Sequence, residues 1–198
     1  ASGIPVVVIG HHSAPCQVRS DDFLGGQRII QHMLDLGHEH IGIISVPERL
    51  NYALSARWQG VHATARANGI ADEQLPIVHA DLSTQGGAQA MATLLAEHPQ
   101  TTAVIALNDR MAMGAIQHLQ ANNIRVPDDM SVAGYDNLAI TSFLSPPLTT
   151  IDQQANALGK TATELLFAVL ANEKPSSVVL PPELIVRAST DAPHTSSN

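Results

Sequence analysis

The side chains best suited to chemistry stand directly after two apolar runs of the chain. Asn108 and Asp109 follow the run TAVIAL, and Asp136 and Asn137 follow the run MSVAGY. Both runs are short, rich in Val, Ile and Ala, and without polar alternation, which is typical of strands buried on both faces of a parallel sheet. Ligands bind along the carboxyl ends of the strands in such sheets. We therefore expect these four side chains to line one edge and form a ligand site.

Arg57 is a further candidate, because its own helix offers it no partner. It lies in a helix predicted over residues 50–68, and the positions three and four residues away carry only Ala53, Leu54, Gly60 and Val61. The guanidinium therefore either extends to water or has a tertiary or ligand partner. Both alternatives stay open at this point.

A rim of Asn, Asp and Arg suits a small polyhydroxylated ligand such as a sugar or a nucleoside. Carboxylates accept hydrogen bonds from hydroxyls, while arginine and asparagine donate to ring and hydroxyl oxygens. Each residue also has a structural alternative. Asn108 or Asp109 can cap the following helix, and Asp136 can close a turn.

Known catalytic and metal-binding patterns do not occur in the sequence. There is no G-x-S-x-G motif, no P-loop and no G-x-G-x-x-G motif, and the ten histidines show no spacing of a metal site. His11 and His12 follow the first predicted strand, where a solvated loop is favoured over a metal or ligand site. We predict no cofactor and no enzyme, although carboxylates and a rim histidine can perform acid–base chemistry.

Composition excludes several partners. The net charge is −8 with only 10 Lys and Arg residues, so this chain has no basic surface for DNA or RNA. The one cysteine, Cys16, forms no internal disulfide and suits the cytoplasm. No apolar window approaches the length of a membrane span, and the start lacks a signal peptide. Because the chain opens abruptly on a strand, we expect it to be a fragment.

The elements that position these residues alternate between strand and helix, which predicts an α/β fold. Asp21 or Asp22 caps a helix that runs to Leu36. A later helix over residues 153–172 has an apolar face spaced to cover a sheet. The remaining strands are predicted at residues 5–9, 40–45, 77–80, 178–180 and 183–186. The polar tail from Asp191 is expected to be disordered.

Several motifs together resemble the lactose-repressor/galactose-repressor (LacI/GalR) family of bacterial transcription regulators. They are LGHEHIGII, ARWQG, NDRMAMGA, VPDDMSVAGYDN, PPLTTID and LIVRAST. The resemblance implies a type I periplasmic-binding-protein-like fold with parallel sheets flanked by helices and two subdomains, the amino-terminal one incomplete. It assigns residues 1–20 and 153–177 to the amino-terminal subdomain, residues 21–150 and 178–190 to the carboxy-terminal one, and residues 191–198 to the tail.

The resemblance also implies site residues. Arg57 matches the family's ligand-clamping arginine, and Asn108, Asp136 and Gln153 match polar residues of its cleft. Departures stand at four positions of this sequence: Gly10, where an aspartate is common, Leu82, where an aromatic residue can stack, and Ser20 and Ala155, where others carry phenylalanine. His11 and His12 are candidates to replace the lost stacking surface. Met113, Phe143 and Leu144 match the family's dimer interface, with packing in the core as the alternative.

By this resemblance, the chain is the effector-sensing part of a cytoplasmic repressor. A sugar-like metabolite closes the cleft between the subdomains, and a homodimer passes that closure to operator DNA through a headpiece absent from this chain. One alternative is an exported sugar-binding protein that supplies a transporter. The other is a sugar-acting enzyme that uses Asp136 and a rim histidine as acid and base.

Overall fold

The computed structural model describes residues 4–11, 16–47 and 51–194, which confirm the predicted α/β fold. The strands are β1 (Val8–Ile9), β2 (Gln17–Ser20), β3 (Ile41–Ser45), β4 (Ile77–His79), β5 (Ala103–Ala106), β6 (Ser131–Tyr135), β7 (Thr149–Asp152), β8 (Val178–Leu180) and β9 (Glu183–Ile185). The α-helices are α1 (Asp22–Asp35), α2 (Tyr52–Ala67), α3 (Thr84–Glu97), α4 (Asp109–Ala121) and α5 (Ala155–Leu170). Short 3₁₀ helices cover Asp72–Gln74 and Ala139–Phe143.

The larger sheet has six strands in the order β4-β3-β5-β6-β7-β9, and only β9 runs antiparallel to its neighbour. Every residue of β3, β5 and β6 is buried, as the apolar runs without alternation predict. Helices cover both faces of this sheet, with α1 packed against α2 and α3 packed against α4. The carboxyl ends of β5 and β6 therefore lie side by side at one edge.

Glycines allow each pair of helices to pack closely. A Cβ atom on Gly60 would lie 2.1 Å from the carbonyl oxygen of Phe23, and one on Gly114 would lie 1.9 Å from that of Thr84. Such distances are far inside van der Waals contact, so a larger residue would force the helices apart. The close approach of α1 and α2 brings Arg57, one turn before Gly60, against the amino-terminal end of α1.

The smaller sheet has three parallel strands in the order β1-β2-β8. Helix α5 covers one face, where Leu158 and Ala162 pack on Val18. The strand predicted at residues 5–9 is reduced to Val8–Ile9, and β2 was not predicted. Three of its four residues, QVRS, are polar, and only alternate side chains are buried, so it lacks the continuous apolar pattern of the buried strands of the larger sheet.

The assignment of residues 178–180 to the carboxy-terminal subdomain was wrong. Strand β8 pairs with β2 in the smaller sheet, and only β9 joins the larger one. The short connection at Pro181–Pro182 lacks backbone donors, so it carries the chain between sheets without continuing either ladder. The chain therefore passes from one sheet to the other three times, after Ser20, after Asp152 and after Leu180. Hydrogen bonds join the crossings, from Asp21 N to Leu180 O (2.9 Å) and from Gln154 Nε2 to Pro181 O (2.9 Å).

Asp191, the first residue of the predicted tail, is hydrogen-bonded to the folded domain. The carbonyl of Asp191 accepts hydrogen bonds from His38 Nε2 (2.8 Å) and Ser131 Oγ (3.0 Å), because the buried His38 ring needs a partner there. Residues 195–198 lie outside the described residues, so the expected disorder of the tail stays a prediction. Among the described helices, none has the length and apolar character required to cross a membrane.

Candidate functional site

Arg57 lies at the centre of a buried polar network. Its side chain is only 4% exposed, and Nε donates to Asp22 Oδ1 at 2.9 Å. Nη1 donates to the carbonyl of Leu107 at 2.7 Å and lies 3.1 Å from Asp136 Oδ1. The guanidinium stacks on the ring of Tyr135, with 3.7 Å between Cζ and the ring centroid. Of the two sequence-based alternatives, the structure therefore shows tertiary partners.

Asp136 stands in the turn after β6 and faces Arg57. Its carboxylate accepts hydrogen bonds from Asn108 Nδ2 and Gln153 Nε2, in addition to its ion pair with Arg57. Burial raises the pKa of Asp136 to about 6, although Arg57 acts in the opposite direction. Burial also disfavours the charged form of Arg57, but Asp136, Tyr135 and Asp22 outweigh it and raise the arginine pKa. A carboxylate has about four lone-pair positions, so Asp136 retains room for one more donor.

Asn108 performs both of the roles that the sequence left open. Its Oδ1 accepts from Arg110 N (2.9 Å) and caps α4, while its Nδ2 donates to Asp136. Asp109 was expected to line the site, but it does not. It is fully buried and accepts from Leu138 N and Thr150 Oγ1 at 2.8 and 2.7 Å, and burial raises its pKa.

A cavity of about 420 Å³ adjoins this network, and its lining includes Gly10, His11, Ser20, Asp22 and Gln153. Asp22 and Gln153 belong to both the lining and the network. His11 Nε2 lies 3.1 Å from Asp22 Oδ2, and the buried Ser20 Oγ has no hydrogen-bond partner among the described residues. A buried hydroxyl without a partner is uncommon and costs free energy, so a ligand atom in this cavity would satisfy it.

The remaining predicted residues lie elsewhere. Leu82 is 42% exposed and lines a neighbouring cavity of about 490 Å³, which shares Asn51 with the first one. Phe143 is 81% exposed at the end of the second 3₁₀ helix, and Met113 is half-buried. Leu144 packs partly against the hydrophobic core, as its structural alternative proposed. His12 lies outside the described residues.

Asp22, Asn51 and Tyr52 line the cavity and were not predicted as site residues. Asp21 caps α1 by accepting from Leu24 N at 3.1 Å, which leaves Asp22 to bind Arg57. Two consecutive acids at a helix start were the available signal, because only one of them can occupy the cap. Asn51 caps α2 at the cavity, and Tyr52, 82% exposed, is an aromatic side chain of its lining. Within the described ranges, no group of three His, Cys, Asp or Glu residues is arranged to hold a metal ion.

Comparisons with known proteins agree on one family. A model of the periplasmic binding protein-like domain matches residues 30–190. The chain is 37% identical over 175 residues to the HTH-type transcriptional repressor PurR of Mannheimia succiniciproducens, covering 87% of this chain and 52% of that protein. It is 34% identical over 175 residues to the ribose operon repressor of Haemophilus influenzae, with the same coverage of 87% and 52%.

A solved structure gives the same result. The LacI family transcriptional regulator from Enterococcus faecium, crystallised with bound ribose, superimposes with a TM-score of 0.88 at 34% identity, covering 95% of this chain and 71% of that one. This chain spans about half the length of the curated relatives it matches, 52% for the two described above. The match therefore concerns one part of those regulators.

Proposed function

The chain belongs to the periplasmic binding protein-like domain family and to the LacI family of transcriptional regulators, and we propose that it is the effector-binding part of a DNA-binding repressor. Its ligand is a small sugar-like metabolite held between the two sheets. The observation that carries this proposal is the convergence of Arg57, Asn108, Asp136 and Gln153, which come from separate elements, beside one cavity.

The electrostatics of the network favour an uncharged, hydroxyl-bearing ligand. Arg57 lies between the carboxylates of Asp22 and Asp136, so its charge is already balanced and is not free for a phosphate. Hydroxyl groups can donate to the remaining positions on these carboxylates and accept from Gln153 and Ser20. The cavity of about 420 Å³ is within the ordinary range for small-molecule sites. The ribose bound to the Enterococcus faecium regulator is a ligand of this chemistry.

The two sheets correspond in this proposal to two subdomains that close on the ligand. Residues Gly10, His11 and Ser20 approach the ligand from the smaller sheet, and the Arg57 network approaches it from the larger one. Closure then alters DNA binding by a helix-turn-helix headpiece outside this chain, with a coupling of about 1 to 3 kcal/mol. Operator binding by the complete protein, measured by fluorescence anisotropy with and without D-ribose, tests the coupling.

The proposal includes a cytoplasmic homodimer that performs no chemistry on the ligand. Phe143 and Ile140 are 81% and 50% exposed and lie on one short helix. Met113 and Leu144, which together with Phe143 match the family's dimer interface, are half-buried. Sedimentation equilibrium of the complete protein measures the dimer. Mass spectrometry of the ligand after overnight incubation should return it unchanged.

Calorimetry tests the site itself. D-ribose, cellobiose, adenosine and ribose 5-phosphate are titrated into the complete protein and into Arg57→Ala, with Arg125→Ala as the control. Arg125 is 66% exposed and pairs only with Asp128 and Asp129 among the described residues. We expect D-ribose to bind with the highest affinity, Arg57→Ala to lose binding and Arg125→Ala to retain it.

Arg57→Ala leaves two buried carboxylates without their partner, a change that costs about 3 to 5 kcal/mol of stability in other proteins. Gln153→Ala is therefore tested in parallel, since Gln153 lines the cavity and donates only to Asp136 among the described residues. Unchanged D-ribose affinity in folded Arg57→Ala and Gln153→Ala would remove this network from the ligand site.

A further inference from the structure

The turn that carries Asp136 has a conformation that ordinary residues avoid. Asp136 has φ of 118° and Asn137 has φ of 52°, and neither is glycine. Two successive residues with positive φ cost free energy and persist only where surrounding contacts hold them. The contacts that hold this turn therefore decide where the Asp136 carboxylate points.

Asp109 supplies the first of these contacts from the start of α4. Its Oδ2 accepts from the backbone N–H of Leu138, the residue that ends the turn, at 2.8 Å. Its Oδ1 accepts from Thr150 Oγ1 on β7 at 2.7 Å. A Cβ atom on Gly134 of β6 would lie 2.3 Å from Asp109 Oδ1, so the strand that leads into the turn passes directly against this carboxylate.

Arg187 supplies the second contact from the segment after β9. Its Nη2 donates to Asn137 Oδ1 at 2.7 Å, which fixes the side chain in the middle of the turn. Its Nη1 donates to Leu148 O at 2.7 Å and to Thr141 Oγ1 at 3.1 Å. The same guanidinium therefore joins the turn to the segment before β7 and to the 3₁₀ helix Ala139–Phe143.

We propose that Asp109 and Arg187 are positioning residues of the ligand site, which together hold residues 136–138 so that the Asp136 carboxylate faces Arg57. Neither side chain needs to touch the ligand. This inference rests on the proposed function in one respect, that Asp136 is a ligand-binding group. If the two residues only stabilise the fold, their loss will lower stability without moving Asp136.

The test follows the Asp136 carboxyl carbon by ¹³C NMR during a pH titration of the full chain. In the native protein burial places the pKa of Asp136 at about 6. Asp109→Ala removes both acceptors, and Arg187→Met removes the donors to Asn137. In each variant we expect the turn to relax into solvent and the Asp136 pKa to fall toward about 4, the value of a solvated aspartate.

Asp109→Asn is the conservative variant, because an amide oxygen can accept from Leu138 N and the amide N–H can donate to Thr150 Oγ1. The negative charge of Asp109 itself raises the Asp136 pKa, so Asp109→Asn measures the loss of that charge alone, and we expect Asp109→Ala to lower the Asp136 pKa further.

If Asp109→Ala or Arg187→Met fails to fold, Thr150→Val is a milder variant. It removes the hydroxyl that donates to Asp109 Oδ1 and accepts from the backbone N–H of Asn137 at 3.4 Å, so it breaks one contact to Asp109 and one to the turn. Thr101→Val is its matched control, because Thr101 is also buried and its side chain bonds neither Asp109, Arg187 nor residues 136–138 among the described residues.

A shift of the Asp136 signal in Thr150→Val but not in Thr101→Val supports the positioning role. Equal shifts in both, or a shift no larger in Asp109→Ala than in Asp109→Asn together with none in Arg187→Met, would overturn it. A second measurement is D-ribose binding by calorimetry, where we expect Asp109→Ala to lose at least about tenfold in affinity. Failure of the native protein to bind D-ribose would count against the proposed function, while the NMR titration would still decide whether the two residues hold the turn.

Discussion

The two sheets carry opposite sides of the candidate site, and they differ in how firmly they are built. Strands β3, β5 and β6 are buried at every residue, with helices on both faces. Among the described residues, α5 covers one face of the three-stranded sheet, and Ile9 and Val179 are 55% and 44% exposed. A parallel sheet normally has both faces covered, so within this chain the smaller sheet has fewer buried contacts than the larger one.

The two sheets therefore contribute differently to the candidate ligand site. Arg57, Asn108 and Asp136 bond to one another at the edge of the larger sheet, so their geometry is fixed before a ligand arrives. Gly10, His11 and Ser20 belong to the smaller sheet and contribute few bonds between themselves. We infer that the larger sheet sets which functional groups are recognised.

We expect the largest effect, a loss of stability, when the same substitution is made in each of the two sheets. Val104 on β5 and Val18 on β2 are both fully buried. Val104→Ala leaves a cavity in a core that cannot collapse, and we expect it to cost about 2 to 3 kcal/mol, whereas Val18→Ala should cost less than about 1 kcal/mol because its surroundings can relax. Urea denaturation followed by the fluorescence of the single tryptophan, Trp58, measures both. Equal costs would contradict the contrast between the sheets.

A smaller effect is expected from pH. Hydroxyl groups of a ligand donate to the ionised form of Asp136, and burial places its pKa at about 6. D-ribose affinity should therefore rise about tenfold between pH 5 and pH 7, as the ionised fraction rises. Calorimetry between pH 5 and pH 7 measures how D-ribose affinity depends on pH, and Asp136→Asn should abolish this dependence. His11→Gln, which changes another residue of the cavity lining, is the control and should keep this pH dependence.

In the protein without ligand, ionisation of Asp136 lowers stability, whereas it raises the affinity for the ligand. An aspartate whose pKa is raised by folding binds its proton more tightly in the folded than in the unfolded state. Its contribution to the free energy of unfolding therefore decreases as pH rises from about 4 to about 6, and is constant above that range. A contribution that increased over this interval would show that Asp136 is not buried as the structure has it.

The smallest effect concerns a single hydroxyl on the smaller sheet. Among the described residues the buried Ser20 Oγ has no partner, which costs free energy in the folded state, so Ser20→Ala should raise the free energy of unfolding by about 1 kcal/mol. If a ligand satisfies this hydroxyl, the same variant should weaken D-ribose binding about two- to tenfold, the worth of one hydrogen bond. Calorimetry and urea denaturation of the same sample separate the two effects, and unchanged binding would place the ligand away from Ser20.

The sequence was a good guide wherever local pattern and burial agree. Apolar runs without alternation predicted β3, β5 and β6, and helical patterns predicted α1, α2, α4 and α5, because all but α5 bury an apolar face in the large core and α5 buries one against β2. It was a poor guide to β2 and to the pairing of β8. Strand β2 is mostly polar and β8 has only three residues, so their place depends on neighbours that are distant along the chain.

By itself, then, the sequence determined the fold class, the family resemblance and the polar residues that end the buried strands, since these follow from residue type and spacing. Only the tertiary structure decided which of those residues meet. Arg57 is 35 residues from Asp22 in the chain, yet they form a buried ion pair. Asp109 and Asp136 end neighbouring strands in the same way, but one points into the core and the other toward Arg57. That choice depends on backbone angles and distant hydrogen-bond partners, which residue type and spacing do not encode.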